Sequence, residues 1–263
     1  MGDWAVQPGS GIRFEWGLAG AGRLAAEATC LVVVDVLSFS TAVSVAVETG
    51  IRVLPFWLPA SPATTAERAS EKAAAVYARQ SGARLAVARH AVTPDSPWSI
   101  SPAHLRRARF VARLVLPSPS GAAIAAAAPP GVRVVAACLR NITAVGNWLT
   151  AHGYGTPEHP VDVIAAGERW PDGSLRPALE DLLGAGALIS ELHHQGAGGL
   201  SAEAAAAKAA YEGTADLTRA IAASASGREL AATGFVEDVA IATEEDTCTL
   251  VPVRDSDGAF APG

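Results

Sequence analysis

The stretch LVVVDVLSFSTAVSVAVETG, residues 31–50, decides the fold. Its first four residues are apolar and uninterrupted, which reads as a strand covered on both faces, because a strand with one wet face would alternate. The run stops at Asp35. After a short turn a helix is expected over 41–49, with Ser38 or Ser40 as its N-cap and Gly50 as its stop. Strand, polar turn and helix in so short a span form the unit of a sheet flanked by helices.

The same alternation continues outward. Ile12, Phe14 and Trp16 alternate with polar or charged neighbours and predict a half-exposed edge strand. Further strands are expected at 51–56, 84–88, 111–116, 132–138 and 161–165. Helices are expected over 65–80 and 177–192, the second opening on a proline whose missing N–H costs nothing in a first turn. Beyond Leu200 the pattern turns helical, over 201–212, 214–224, 227–234 and 236–243, before a last strand at 249–253. The fold class is α/β. One domain spans 1–253, with a division into two subdomains near 130 left open, and the polar, Gly- and Pro-punctuated 254–263 is expected to be a flexible tail.

Composition narrows the partners. Half the residues are hydrophobic and the net charge is −6, so the chain can bury a large core but offers no basic surface for nucleic acid or anionic lipid. No apolar stretch reaches the roughly 20 residues of a membrane helix. Cys30, Cys138 and Cys248 are odd in number, far apart and in part set in apolar runs, the pattern of buried inert thiols in a reducing cytoplasm. Asp3 near the start and the lack of a cationic-then-apolar segment argue against export.

In sheets of this kind ligands bind beyond the carboxyl ends of the strands. Asp35 follows the first buried strand, Ser118 and Ser120 follow Leu116, Arg140 and Asn141 follow Cys138, and Glu168 and Arg169 follow Ala165. Glu180 and Asp181 fall in the first turn of the 177–192 helix, where they could also simply complement its dipole. Carboxylates supply hard oxygens for Mg²⁺, arginine a planar fork for phosphate, and serine, asparagine and helix starts neutral donors. The set points to a magnesium-dependent site for a phosphate ester. For the serines, helix capping is the stronger rival, and His90 to Pro102, with three prolines and a tryptophan, reads as a binding loop or lid.

Several phosphatase and nucleotide signatures are absent. Leu37 stands where an aspartyl-phosphate motif needs its second Asp, Cys138 and Arg140 are too close for a cysteine phosphatase loop, and no Walker, GxSxG or GxGxxG pattern occurs. The chain does resemble one family, the 2-phosphosulfolactate phosphatases. The resemblance is carried by VVVDVLSFSTAVSVAVETG (32–50), ACLRN (137–141), AAGERWPDGSLRPALEDLLGAGALI (165–189) and GRELAATGFVEDVAIATEEDTCTLVPV (227–253). It implies a three-layer α/β/α fold with a mixed, largely parallel sheet, and Mg²⁺-dependent hydrolysis of a small acidic phosphate monoester. Asp35, Arg140, Asn141, Glu168, Glu180 and Asp181 fall on the family's polar positions.

The chain departs from the family at Ser38, where an arginine is usual, at SPSGAA (118–123), which lacks an Asn and an Arg, and in ARHAVTPDSPWSISP (88–102). The expected roles are Asp35, Arg140 and Glu168 in catalysis. Asp35, Glu168, Glu180 and Asp181 are expected to hold Mg²⁺, and Ser38, Ser40, Ser118, Ser120, Asn141 and Arg169 to bind substrate. Asp35 as a covalent nucleophile stays open. The alternatives are a decayed small-anion-binding protein and a different sugar-phosphate enzyme on the same fold. A homodimer is an admissible assembly.

Overall fold

A computed structural model describes residues 3–58 and 66–263. The chain runs through β1 (Ile12–Trp16), α1 (Gly17–Leu24), β2 (Cys30–Val34), α2 (Phe39–Glu48), β3 (Arg52–Phe56), α3 (Ala66–Gln80) and β4 (Arg84–Leu85). It continues with α4 (Pro102–Arg107), β5 (Arg113–Pro117), α5 (Gly121–Ala127), β6 (Arg133–Ala137), α6 (Ile142–Ala151), β7 (Val161–Ala165) and a small hairpin, β8 (Glu168–Arg169) and β9 (Leu175–Arg176). Helices α7 (Leu179–His194), α8 (Ala202–Glu212), α9 (Leu217–Ala223), α10 (Ala225–Ala232) and α11 (Val236–Ala242) lead to β10 (Pro252–Arg254) and β11 (Phe260–Pro262). The expected helix start at Thr65 lies outside the described residues.

Nine strands form one mixed sheet in the order β1-β7-β2-β6-β10-β11-β3-β5-β4. The first four are mutually parallel, as are β3, β5 and β4. With helices on both faces, this is the three-layer α/β/α arrangement. Strand β2 shows why its sequence is apolar throughout: Val32 and Val34 pack in the cluster with α7 and α8, while Leu31 and Val33 pack in the opposite cluster with α2. Helix α2 is buried from Phe39 to Val47. Its hydroxyls therefore bond inward, Ser40 to the Val33 carbonyl (2.9 Å) and Thr41 to the Val36 carbonyl (2.7 Å).

Strand β1 does lie at the sheet's edge, but it is less exposed than alternation suggests. Arg13 is buried because its guanidinium Nε meets the buried Asp162 at 2.6 Å on the neighbouring β7. The strand expected over 84–88 shortens to two residues, since Val87 instead bridges Ser99. All three cysteines are buried, and burial pushes the Cys30 and Cys138 thiols up.

The expected flexible tail is corrected by the structure. Strands β10 and β11 form a hairpin inside the sheet, and their three successive antiparallel pairings join the two parallel groups, which consequently run in opposite directions. The polar residues that suggested fraying are turn chemistry. Gly258 takes φ +82° in the bend, and Asp255 and Asp257 receive Arg52 and Arg113 from β3 and β5. Phe260 is fully buried, edge-to-face with Phe39 at 6.2 Å between ring centres. Phe260→Ala is accordingly expected to cost about 3–5 kcal/mol in urea unfolding, the range for emptying a buried aromatic site; a loss within experimental error would mean the segment is frayed.

Candidate active site

Two carboxylates organise the turns at the ends of β2 and β7. Asp35 closes β2; its Oδ1 accepts the Phe39 N–H that opens α2 (3.0 Å) and its Oδ2 accepts the Gly121 N–H that opens α5 (2.9 Å). Asp181, in the first turn of α7, does the same for two other segments. Its Oδ1 accepts from Val36 (2.7 Å), just after Asp35, and its Oδ2 from Gly167 (2.8 Å), just after β7. Both acids are buried. Turn N–H groups left over at strand ends must find partners when buried, and a carboxylate supplies strong, charge-assisted ones. Glycine is required at 121, because a Cβ there would overlap the Phe39 ring and fall 2.8 Å from Asp35 Oδ2.

Glu180 adjoins Asp181 and is 1% exposed, yet its Oε2 is buried without a hydrogen-bond partner among the described residues. Half-buried Glu168 comes from β8. Burial, followed by the Asp35 and Glu180 charges, raises Asp181 well above the usual carboxylate range. Burial lifts Asp35 to about 6, with Glu180 adding to the rise against two backbone hydrogen bonds and the Arg89 charge. Burial and then Asp35 lift Glu168 to about 7, opposed by Arg176. The Glu180 charge is thus felt at Asp35, Glu168 and Asp181, and the Asp35 charge at Glu168 and Asp181. As they stand, no three His, Cys, Asp or Glu side chains among the described residues are arranged to hold an ion.

The other expected residues separate. Arg140 is buried, and its guanidinium is occupied by Glu48 (2.7 Å), Glu244 (3.1 Å) and Ser44 (3.0 Å). Asn141 accepts from the Cys138 N–H (2.9 Å) and donates to the Ala136 carbonyl (3.3 Å), closing its own turn. Both side chains serve the framework rather than the acid cluster. Ser40 fixes the Asp35 turn, accepting its N–H at 3.1 Å, and Ser118 accepts the Ser120 N–H (3.3 Å). Ser120 and the exposed Arg169 line a pocket of about 350 Å³ beside Glu168, walled otherwise by apolar side chains such as Trp16, Leu18, Ile124 and Leu175. Arg169 donates to the carbonyls of Gly173 (3.1 Å) and Pro119 (3.5 Å).

Ser38 does not cap α2 with its side chain. Its hydroxyl instead accepts from Arg89 Nη2 at 2.7 Å. Arg89 thus brings a cation from the irregular 88–102 segment against the turn that follows Asp35. Residue-by-residue reading missed Arg89, its partner Asp238 on α11, and Arg176, which pairs in register with Glu168 across the β8–β9 hairpin. The available signal was a cation at the mouth of a loop already suspected of binding. That loop is not a free lid: Trp98 is buried and donates to the Arg109 carbonyl (3.0 Å), and Asp238 accepts from Ser101 Oγ and Ala103 N–H.

The raised acids make stability depend on pH. Their pKa values are higher folded than unfolded, so the folded chain binds more protons between about pH 4 and about pH 7 and loses stability as pH rises through that window. The melting temperature of metal-free protein is expected to fall from about pH 5 to about pH 8. Glu168→Gln, which breaks no backbone hydrogen bond, should flatten the upper part of that slope. A melting temperature that climbs with pH would show that the carboxylates are not held together.

A search of curated proteins finds no match. The family model of 2-phosphosulpholactate phosphatase matches residues 21–257, a span that takes in β2, β7, α7 and every acid of the cluster. The chain belongs to the 2-phosphosulpholactate phosphatase family, whose members are phosphoric monoester hydrolases.

Proposed function

We propose that the chain hydrolyses a small acidic phosphate monoester of the phosphosulfolactate kind, with Mg²⁺ held by Glu180 and by the remaining lone pairs of Asp35 and Asp181, and with Glu168 left free for proton transfer. The observation that carries this reading is the unpartnered, buried Glu180 Oε2 among three other acids whose ionised forms burial disfavours. A buried carboxylate oxygen without a partner is costly, and a hard divalent cation takes oxygens of this type. Bound there, the ion would supply Lewis acidity toward a phosphoryl oxygen.

The chain's own residues do the rest. Backbone hydrogen bonds to both oxygens of Asp35 and of Asp181 leave these carboxylates little freedom to rotate, so their orientation needs no rearrangement when substrate arrives. Glu168, half-buried at the edge of the pocket and raised by burial to about 7 in the metal-free chain, is the acid of the cluster most open to proton exchange. In the hydrolysis a water oxygen bonds to phosphorus, the ester P–O bond breaks, and the proton released by water ends on the departing alkoxide, with Glu168 as the group that relays it. The pocket beside Glu168 would receive the organic part of the ester.

One observation favours a second reading, binding without turnover: Asp35 and Asp181 already serve as acceptors for four backbone N–H groups. The two readings separate in an assay of phosphate release from phosphosulfolactate, phospholactate and phosphoglycolate after chelation and Mg²⁺ restoration. Metal-dependent release is expected, and Glu168→Gln should lower kcat roughly 10²- to 10⁴-fold, the usual contribution of a general acid or base. Glu180→Gln should raise the Mg²⁺ concentration needed while leaving the melting temperature of the metal-free protein the same or higher. Absence of release from all three esters would sink the enzymatic reading.

A further inference from the structure

Four acids and a net charge of −6 make a poor place for a phosphate dianion unless a cation faces it. Arg140 is occupied by Glu48 and Glu244. Arg176 pairs with Glu229 (3.4 Å) and lies over the Trp170 ring (5.7 Å). Arg169 is exposed and turned to backbone carbonyls.

Arg89 is different. Its Nε donates to Asp238 Oδ2 at 3.1 Å, its Nη2 to Ser38 Oγ at 2.7 Å, and its guanidinium carbon lies 5.6 Å from the centre of the Phe235 ring. Asp238 is fully buried and is itself fixed by Ser101 and Ala103. The guanidinium is therefore locked from two directions and by an aromatic face, while its Nη1 amino group has no hydrogen-bond partner among the described residues. The side chain keeps 21% exposure, so solvent reaches it, and its charge is felt at Asp35, three residues before Ser38.

We propose that Arg89 is the phosphate-binding guanidinium of this site, with Asp238 and Ser38 as the positioning residues that present its free N–H groups to an oxyanion at the Asp35 end. Such a second layer of hydrogen bonds is what gives a planar fork a single orientation. The inference rests on the phosphatase reading for the identity of the ester, but not for the binding of the anion.

The test compares wild type, Arg89→Gln and Arg89→Lys in the full chain, by calorimetric binding of inorganic phosphate and by steady-state phosphate release. The glutamine variant is expected to weaken phosphate binding and raise KM about ten- to a hundredfold, the usual worth of a charge-assisted hydrogen bond. Lysine can keep the ion pair to Asp238, so this variant should fold even if the glutamine variant does not, yet its single point charge should restore only part of the affinity. If wild type binds phosphate through Arg89 but releases none from any ester, the inference stands and the phosphatase reading falls. Phosphate affinity and KM unchanged in both variants, or wild type that binds no phosphate, would overturn it.

Discussion

The arrangement of this protein depends on two buried carboxylates that each hold two backbone N–H groups from different segments. Asp35 ties the end of β2 to the starts of α2 and α5, and Asp181 ties α7 to the turns after β2 and β7. Val36 and Asp35 are adjacent, so the two acids share one turn and the tethered segments form a single connected rim. Replacing either acid by an apolar residue would leave two buried donors unpaired, each costing on the order of 1–3 kcal/mol. Glu168 and Glu180 take their places relative to this rim, because one follows Gly167 and the other precedes Asp181 in the chain.

Around the rim, the sheet solves a separate problem. Strands within each parallel group are joined by crossovers, and the C-terminal hairpin closes the gap between the two oppositely running groups with β10 against β6 and β11 against β3. Helix α2 then packs against strands of both groups, which is why it is buried from Phe39 to Val47 and why its serines and threonine bond inward rather than to water. The Phe39–Phe260 contact joins the helix after Asp35 to the last strand of the chain. Stability of the hairpin and placement of the Asp35 turn are therefore coupled through one pair of rings.

Much of this was legible in residues 31–50. An uninterrupted apolar run ending in an acid identifies a central strand and the turn where Asp35 sits, and the strand expected over 161–165 matches to the residue. The four acids were legible too, because strand ends and a helix's first turn are fixed by local pattern. The cations were not. Arg140 and Arg89 both follow strand-like sequence, and nothing local distinguishes a guanidinium that will meet Glu48 and Glu244 from one that will meet Ser38 and Asp238; their partners are 92, 104, 51 and 149 residues away. The C-terminal hairpin was hidden for a related reason, since Asp-Ser-Asp-Gly reads alike in a frayed end and in a tight turn until Arg52 and Arg113 meet its acids.

The acid cluster carries a tension that bears on its chemistry. A carboxylate used as a structural acceptor gains from being ionised, yet burial and neighbouring acids push Asp35, Asp181 and Glu168 toward their neutral forms. The backbone N–H groups meet part of that demand at Asp35 and Asp181 but none of it at Glu180 Oε2. Apolar residues could have filled the Glu180 position against the α7 core without any such conflict. The fold instead keeps a buried acid there, without the backbone hydrogen bonds that fix Asp35 and Asp181. Arg89 does not meet that acid, because its guanidinium is already committed to Asp238 and Ser38.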